Sequence, residues 1–316
     1  MAAGYHIHYL RQEAIDKHKW DGCVGGAFNH LIYAYSAYLD IMAPGWDALV
    51  LNDYEAVMPL PRKNKSGFSY LFQPPITPTL GIFGNAITEE LAGCFLAAIP
   101  AVFKLWDISL NHFNPLPHSP AYPVYPRNNF VLALNKPYGE IQKGYHLNIK
   151  RNISKAISSG CIVKKGVPID VIIRVAEREF PRFAKVESSF FERVRALYLY
   201  YGGQGETYCV LNDKGENMAS AAFLLSQGRA CYWLVGNDPG GREYGASSLL
   251  LDAFIRDHSD KDILLDFEGS DDKGVADFYK KFGSMAEPYT TIYYNKLPFP
   301  FRLFKPVPSH YRRLGL

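Results

Sequence analysis

Arg242, Gly245 and Ser247 stand in the spacing R-x-x-G-x-S within NDPGGREYGASS, just before ASSLLLDAFIRD, whose leucines and Phe254 recur at helical intervals. A helix that starts here leaves its first backbone N–H groups, around Gly245, Ala246 and Ser247, without intrahelical acceptors. The positive end of its dipole lies behind them, an arrangement suited to a diphosphate. Glycines let an anion approach the backbone with no Cβ in the way. An earlier loop in the chain, PPITPTLGIFGN, occupies a comparable place but carries prolines, which lack the N–H donors a phosphate needs. The chemistry is therefore expected in the second half.

The elements that must position this loop can be read from the pattern. YCVLND and MASAAFLLS flank KGEN, with Gly215, as a hairpin, and ACYWLVG follows as a third strand. After the loop and its helix come DILLDFEG as a buried strand, GVADFYKKF as a short helix and TTIYYNK as a closing strand. Before the hairpin, CIVKKG reads as a strand. A helix follows, with a Ser189…Glu192 capping box, a face of Phe190, Val194, Leu197 and Tyr201, and Gly202-Gly203 at its end.

The tetrapeptide VLND occurs at Val50-Asp53 and again 160 residues later at Val210-Asp213. Around the first copy the order repeats: GYHIHYL, a helical region, ALVLND, YEAVMPLP, SYLFQPP, a Pro/Gly loop, a helix near 88–103, WDISLNHF and FVLALNKP. Similar order at similar spacing predicts a duplicated α/β unit of mixed sheet. The expected division is 1–135 for a degenerate first domain and 136–316 for a second domain that carries the loop.

Composition narrows the function classes. A net charge of +3 is too small for a dedicated nucleic-acid binder. The longest apolar stretch, 92–103, is too short to span a bilayer and contains Pro100, and the first residues lack a secretory signal pattern, so a cytoplasmic protein without a membrane span is expected. Five cysteines without a CxxC pair read as free thiols, and His6 with His8 lack further ligands at metal spacing, so no metal is expected. Nothing in the residues fixes an oligomeric state.

The loop, together with the later Phe278-Tyr279-Lys280-Lys281-Phe282-Gly283, resembles the GNAT superfamily of N-acyltransferases. There the coenzyme A loop reads Q/R-x-x-G-x-G/A, followed by an F-Y-x-x-x-G segment, and here Ser247 replaces the last small residue. The resemblance covers about residues 160–296. With the duplication and the basic helix HLNIKRNISKA, the chain is similar in particular to Fem-type (FemAB-like) aminoacyltransferases, which use aminoacyl-tRNA on peptidoglycan precursors. It departs from these at Phe278-Tyr279, where they carry F-K. The fold implied is two tandem GNAT-like domains, the first degenerate.

The resemblance implies roles. Acetyl-CoA or another acyl-CoA would be the co-substrate, held by Arg242, Gly245, Ala246 and Ser247. A backbone N–H near Leu234, Val235 or Gly236 would meet the oxyanion. An attacking amine with a lysine-like pKa is about 0.1% neutral near pH 7, a cost of roughly 4–5 kcal/mol, so a base helps. Glu268 is the favoured carboxylate over Asp266, and Tyr279 would protonate the departing thiolate. Lys150, Arg151 and Lys155 either receive an anionic substrate or form a solvated face, and Trp233 flanks the donor strand. Tyr279, Glu268 and Arg242 also have plain readings as a core aromatic, a capping carboxylate and a loop arginine.

Three functions fit these residues. The first is acyl transfer from coenzyme A to an amine acceptor near an interdomain cleft. The second is Fem-like transfer from aminoacyl-tRNA, so tRNA is the alternative partner. The third is a non-catalytic binding module that keeps the fold.

Overall fold

The computed structural model describes residues 5–116, 122–179, 186–202 and 205–312. The chain divides into two compact units, neither of them continuous with half of the sequence: 1–127 with 288–316, and 128–287.

In the first unit, β1 (Ile7–Leu10) leads through α1 (Lys17–Gly26) and α2 (Ser36–Met42) to the hairpin β2 (Asp47–Leu51) and β3 (Ala56–Leu60). A second hairpin, β4 (Arg62–Lys65) and β5 (Phe68–Leu71), precedes the short β6 (Phe83–Gly84), α3 (Glu89–Ala98), β7 (Phe103–Leu110) and β8 (Val124–Arg127). α3 begins where the Thr88 side chain accepts the Leu91 N–H at 3.1 Å, and it buries Leu91, Ala92, Phe95 and Leu96.

The second unit runs β9 (Phe130–Ala133), α4 (Tyr138–Lys143), α5 (Leu147–Ser158), β10 (Ile162–Lys165), α6 (Ile169–Glu179) and α7 (Phe190–Tyr200). Then come β11 (Gly205–Leu211), β12 (Asn217–Ser226), β13 (Arg229–Asn237), α8 (Gly241–Tyr244), α9 (Ala246–His258), β14 (Leu264–Asp266), α10 (Lys273–Lys280) and β15 (Met285–Ala286). The remaining β16 (Tyr289–Asn295) and α11 (Ser309–Arg312) return to the first unit.

The seven-stranded sheet of the second unit has the order β10-β11-β12-β13-β14-β9-β15, with β13 and β14 parallel and the other pairs antiparallel. The first unit repeats the order in two pieces, β1-β2-β3-β6 and β4-β5-β7-β16-β8, with β5 and β7 parallel. The two VLND copies fall at the same corner. Asn52 and Asn212 each end the first strand of a hairpin, and each donates its side-chain N–H to a nearby glutamate, Glu55 at 2.9 Å and Glu216 at 2.7 Å.

The closing strands lie otherwise than the sequential reading places them. FVLALNKP supplies β9, which pairs with β14 of the second unit, and TTIYYNK supplies β16, which pairs with β7 of the first. Each half of the sequence therefore ends in a strand of the other half's sheet. Hydrophobic pattern alone does not reveal this, because both segments are equally fit to be buried strands.

Two local expectations also change. Ser189 starts α7 with φ −79° and ψ 0° and makes no side-chain cap, because a preceding turn, Phe190 N–H to Glu187 O at 3.0 Å, already holds the chain. The expected face of α7 is buried at Phe190, Val194 and Leu197, and Gly203 lies outside the described residues. All five cysteines are free thiols, and burial raises that of Cys23 to about 11. No helix among the described residues is long and apolar enough to cross a membrane.

Candidate active site

β13 pairs with β12 as far as Asn237, but with β14 only from Arg229 to Cys231. The cause is a bulge. Leu224 faces Cys231 and Ala222 faces Leu234, so Tyr232 and Trp233 on β13 oppose Phe223 alone. An extra residue bends its strand and increases the local twist, which carries β13 away from β14. Beyond the bulge no strand among the described residues pairs with the β14 side of β13.

Alternation decides which amides point into that edge. The Asp238 N–H donates to Met218 O at 3.1 Å, and the Gly236 carbonyl accepts from Ser220 Oγ at 3.0 Å, so residues 236 and 238 face β12. Successive residues turn their N–H groups to opposite sides, which leaves Val235 and Asn237 facing the gap. Within the expected span Leu234 to Gly236, Val235 is thus the donor toward the gap, and it is partly exposed while Leu234 is buried. A Cβ on Gly236 would lie 2.9 Å from Val175 Cβ and 3.1 Å from Ile172 O, so the glycine admits α6 against the sheet.

Tyr279 on α10 stands beside this bulge. Its ring stacks on Phe267 at 4.7 Å and meets Tyr232 edge-on at 6.4 Å. Burial, and then the carboxylates of Glu268 and Asp266, push its pKa well above the usual tyrosine range, so the hydroxyl keeps its proton at neutral pH. Tyr279 is accordingly both a member of the core and a held proton.

The two carboxylates of DILLDFEG have different fates. Asp266 accepts from Arg229 Nε at 2.8 Å, Arg229 Nη2 also pairs with Glu287, and Asn129 Nδ2 donates to Glu287 at 3.2 Å. All three charged side chains are largely buried, so Asp266 is one of two carboxylates that share the Arg229 guanidinium at the base of the split strands. Its second oxygen accepts the Glu268 N–H at 2.8 Å. Glu268 takes a left-handed backbone with φ 61°, followed by Gly269 at φ 74°, a conformation a glutamate adopts only at a cost. Asp266 holds that turn, and the partly exposed Glu268 remains as the carboxylate near Tyr279. Arg229, Glu287, Asn129 and Tyr232 had no sequence signal. Their partners lie up to 158 residues away, as Asn129 and Glu287 do.

The glycine loop is more structured than its sequence suggests, since α8 occupies Gly241–Tyr244. Its glycines serve the protein's own backbone. A Cβ on Gly241 would sit 2.0 Å from Met218 O, and one on Gly245, at φ 75°, would sit 2.5 Å from Asn152 O of α5. The start of α9 nevertheless has no side-chain cap. Ser248 and Leu249 donate to Gly245 O, and among the described residues no backbone acceptor faces the amides of Ala246 and Ser247. Ala246 is buried and Ser247 is partly exposed. Arg242 is exposed, and among the described residues no ion pair engages it.

α5 brings its basic face to the same place. Asn152 packs on Gly245 and its side chain approaches Ser248 Oγ at 3.4 Å, with Lys150 partly exposed and Arg151 and Lys155 exposed beside it. Ile149, Ile153 and Ala156 turn inward. Trp233 is 2% exposed, so its ring packs and presents no face to a substrate. Its indole N–H has no acceptor among the described residues.

Residues 173–281 match the acetyltransferase (GNAT) domain family, which spans β13, the loop, α9, β14 and α10 together. No curated protein matches the chain. Among solved structures, FemX shares 12% identity at a TM-score of 0.62, covering 94% of this chain and 99% of its own. A conserved protein of unknown function from Bacteroides thetaiotaomicron shares 10% at 0.52, covering 88% and 96%. L-PGS from Bacillus licheniformis shares 10% at 0.52, covering 84% and 90%. At these identities the likeness is one of fold: a GNAT-like architecture in two units, carrying an acyltransferase domain in the second half.

Proposed function

We propose that the chain is an N-acyltransferase that moves an acyl group from coenzyme A to the amine of an acceptor. The observation that carries this reading is the edge of β13 beyond the bulge, which aims the Val235 N–H into a gap flanked by Tyr279. The thioester carbonyl accepts that N–H, and the developing oxyanion strengthens the bond. Glu268 takes the proton of the attacking amine, directly or through water, the C–N bond forms, and the tetrahedral adduct expels the thiolate. Tyr279 then gives its proton to sulfur and takes one back from solvent, while Glu268 loses its own to solvent. The diphosphate of the donor rests on the Ser247 amide and Arg242. Such a reaction suits a cytoplasmic protein supplied with acyl-CoA.

Isothermal titration with acetyl-CoA and longer acyl-CoAs tests the donor. Saturable binding below about 1 mM is expected, and absence of heat or competition at that concentration overturns the reading.

A second reading, transfer from aminoacyl-tRNA, is favoured by one feature. The basic α5 packs directly on the Gly245 junction. It requires tRNA binding that weakens steeply with salt as counterions are released. Filter binding across a salt series separates the two donors.

A further inference from the structure

Residues 56–88 and residues 296–316 contain no Asp or Glu. The first unit brings them together on one face. Leu297 and Tyr311 form a buried cluster with Leu105 and Tyr293 of the five-stranded sheet. Tyr293 Oη and Asn295 Nδ2 donate to Lys305 O at 3.0 and 2.7 Å, and Tyr311 Oη donates to Asp107 at 2.7 Å. The C-terminal segment is thus pinned at several points. Between those points Phe299, Leu303 and Phe304 remain 82%, 67% and 76% exposed, and Phe301 43%.

Cations surround these side chains. Phe301 packs against Phe68 at 5.0 Å, and Phe68 stands opposite Lys65 across the β4–β5 pair. Lys63 stands opposite Tyr70, with its ammonium over the Phe72 ring at 4.7 Å. Arg302 and Lys305, on either side of Leu303 and Phe304, are exposed. A soluble surface rarely offers four large apolar side chains side by side without a partner.

We propose that this face of the first unit docks on an anionic lipid bilayer, the apolar side chains entering the headgroup boundary and the lysines and arginine meeting lipid phosphates. Three features favour a bilayer. The projecting side chains are phenylalanine and leucine, whose apolar bodies bury at the boundary of the acyl chains. The rim is cationic with no carboxylate in either segment, which complements anionic headgroups. A second copy of the chain docked through the same patch would set these cations against one another across the two-fold axis.

Co-sedimentation of the full chain with vesicles tests this. Vesicles of phosphatidylcholine with about 30% phosphatidylglycerol should bind it at least about tenfold more tightly than pure phosphatidylcholine, with release by salt. The variant Phe299→Ser/Leu303→Ser/Phe304→Ser and the variant Lys65→Glu/Arg302→Glu/Lys305→Glu should each weaken binding about tenfold or more, with unchanged thermal midpoints. Should a triple variant lose its cooperative melt, Phe304→Ser and Lys305→Gln alone carry the test, each expected to weaken binding severalfold. The proposal is overturned if anionic vesicles do not bind the protein, or if the variants bind as wild type does. It is equally overturned if the patch proves to mediate a dimer that the serine variant dissociates, or RNA binding that the glutamate variant abolishes, with vesicles unbound. Acyl-CoA titration reads a different unit and is independent of every one of these outcomes.

Discussion

Tyr279 packs in the core of the second unit and, in the reaction proposed above, also supplies a proton. Its ring is locked between Phe267 and Tyr232, which fixes the hydroxyl, and burial beside two carboxylates keeps the proton on it. Tyr279→Phe retains the ring and removes only the hydroxyl. A thiol with a pKa near 8.5 leaves tolerably well unaided, so kcat should fall about tenfold to a hundredfold while KM for acyl-CoA stays within about twofold. Steady-state kinetics on a variant with wild-type melting behaviour checks this, and an unchanged kcat returns Tyr279 to packing alone. The identity of this residue was legible in the sequence because the segment Phe278 to Gly283 keeps a recognisable spacing. The reason for Gly245 was not. Its close neighbour is Asn152, 93 positions earlier, and no local pattern announces a helix that presses its backbone against that glycine.

At the scale of the element, α9 is held at both ends by contacts with very different legibility. Its start follows from the glycine and the helical spacing of its leucines. Its end is tied to β11 by side chains that composition does not mark: His258 Nε2 meets Glu206 at 3.0 Å, and Tyr208 Oη donates to Asp257 at 2.7 Å and lies 3.2 Å from Glu206. The hydrogen bond from His258 is the main cause that lowers the Glu206 pKa below its ordinary 4.5. A carboxylate whose folded-state pKa is lowered adds stability above its unfolded value, and that stability is lost as pH falls through the folded one. Wild type should therefore lose thermal midpoint faster than Glu206→Gln between about pH 5 and pH 3, the two curves converging at the acid end. Parallel curves from differential scanning fluorimetry would mean that solvent screens the interaction. The hairpin of β11 and β12 is the opposite case. Asn212 and Gly215 declare it, because the Asn212 side chain accepts the N–H groups of Lys214 and Glu216 at 3.0 and 2.9 Å and Gly215 takes φ 78°.

For the whole molecule, the duplication was visible in order and spacing, whereas the exchange of closing strands was not. A strand's sequence records that it is buried and says nothing of which sheet buries it. The exchange has an energetic consequence. A fragment cut where the sequence suggests, 136–316, loses β9 and with it Phe130, Leu132 and Leu134 from the core of the second unit. Three such side chains are worth about 5–9 kcal/mol of burial, comparable with the whole stability of a domain. The cut also strips β14 and β15 of the strand between them and leaves β16 without β7. A fragment of residues 128–287 keeps all seven strands of its sheet. It should unfold in one cooperative urea transition, and 136–316 should show none. If both fragments unfold alike, the strand β9 contributes far less than its burial implies, and the division of the molecule lies in the sequence halves after all.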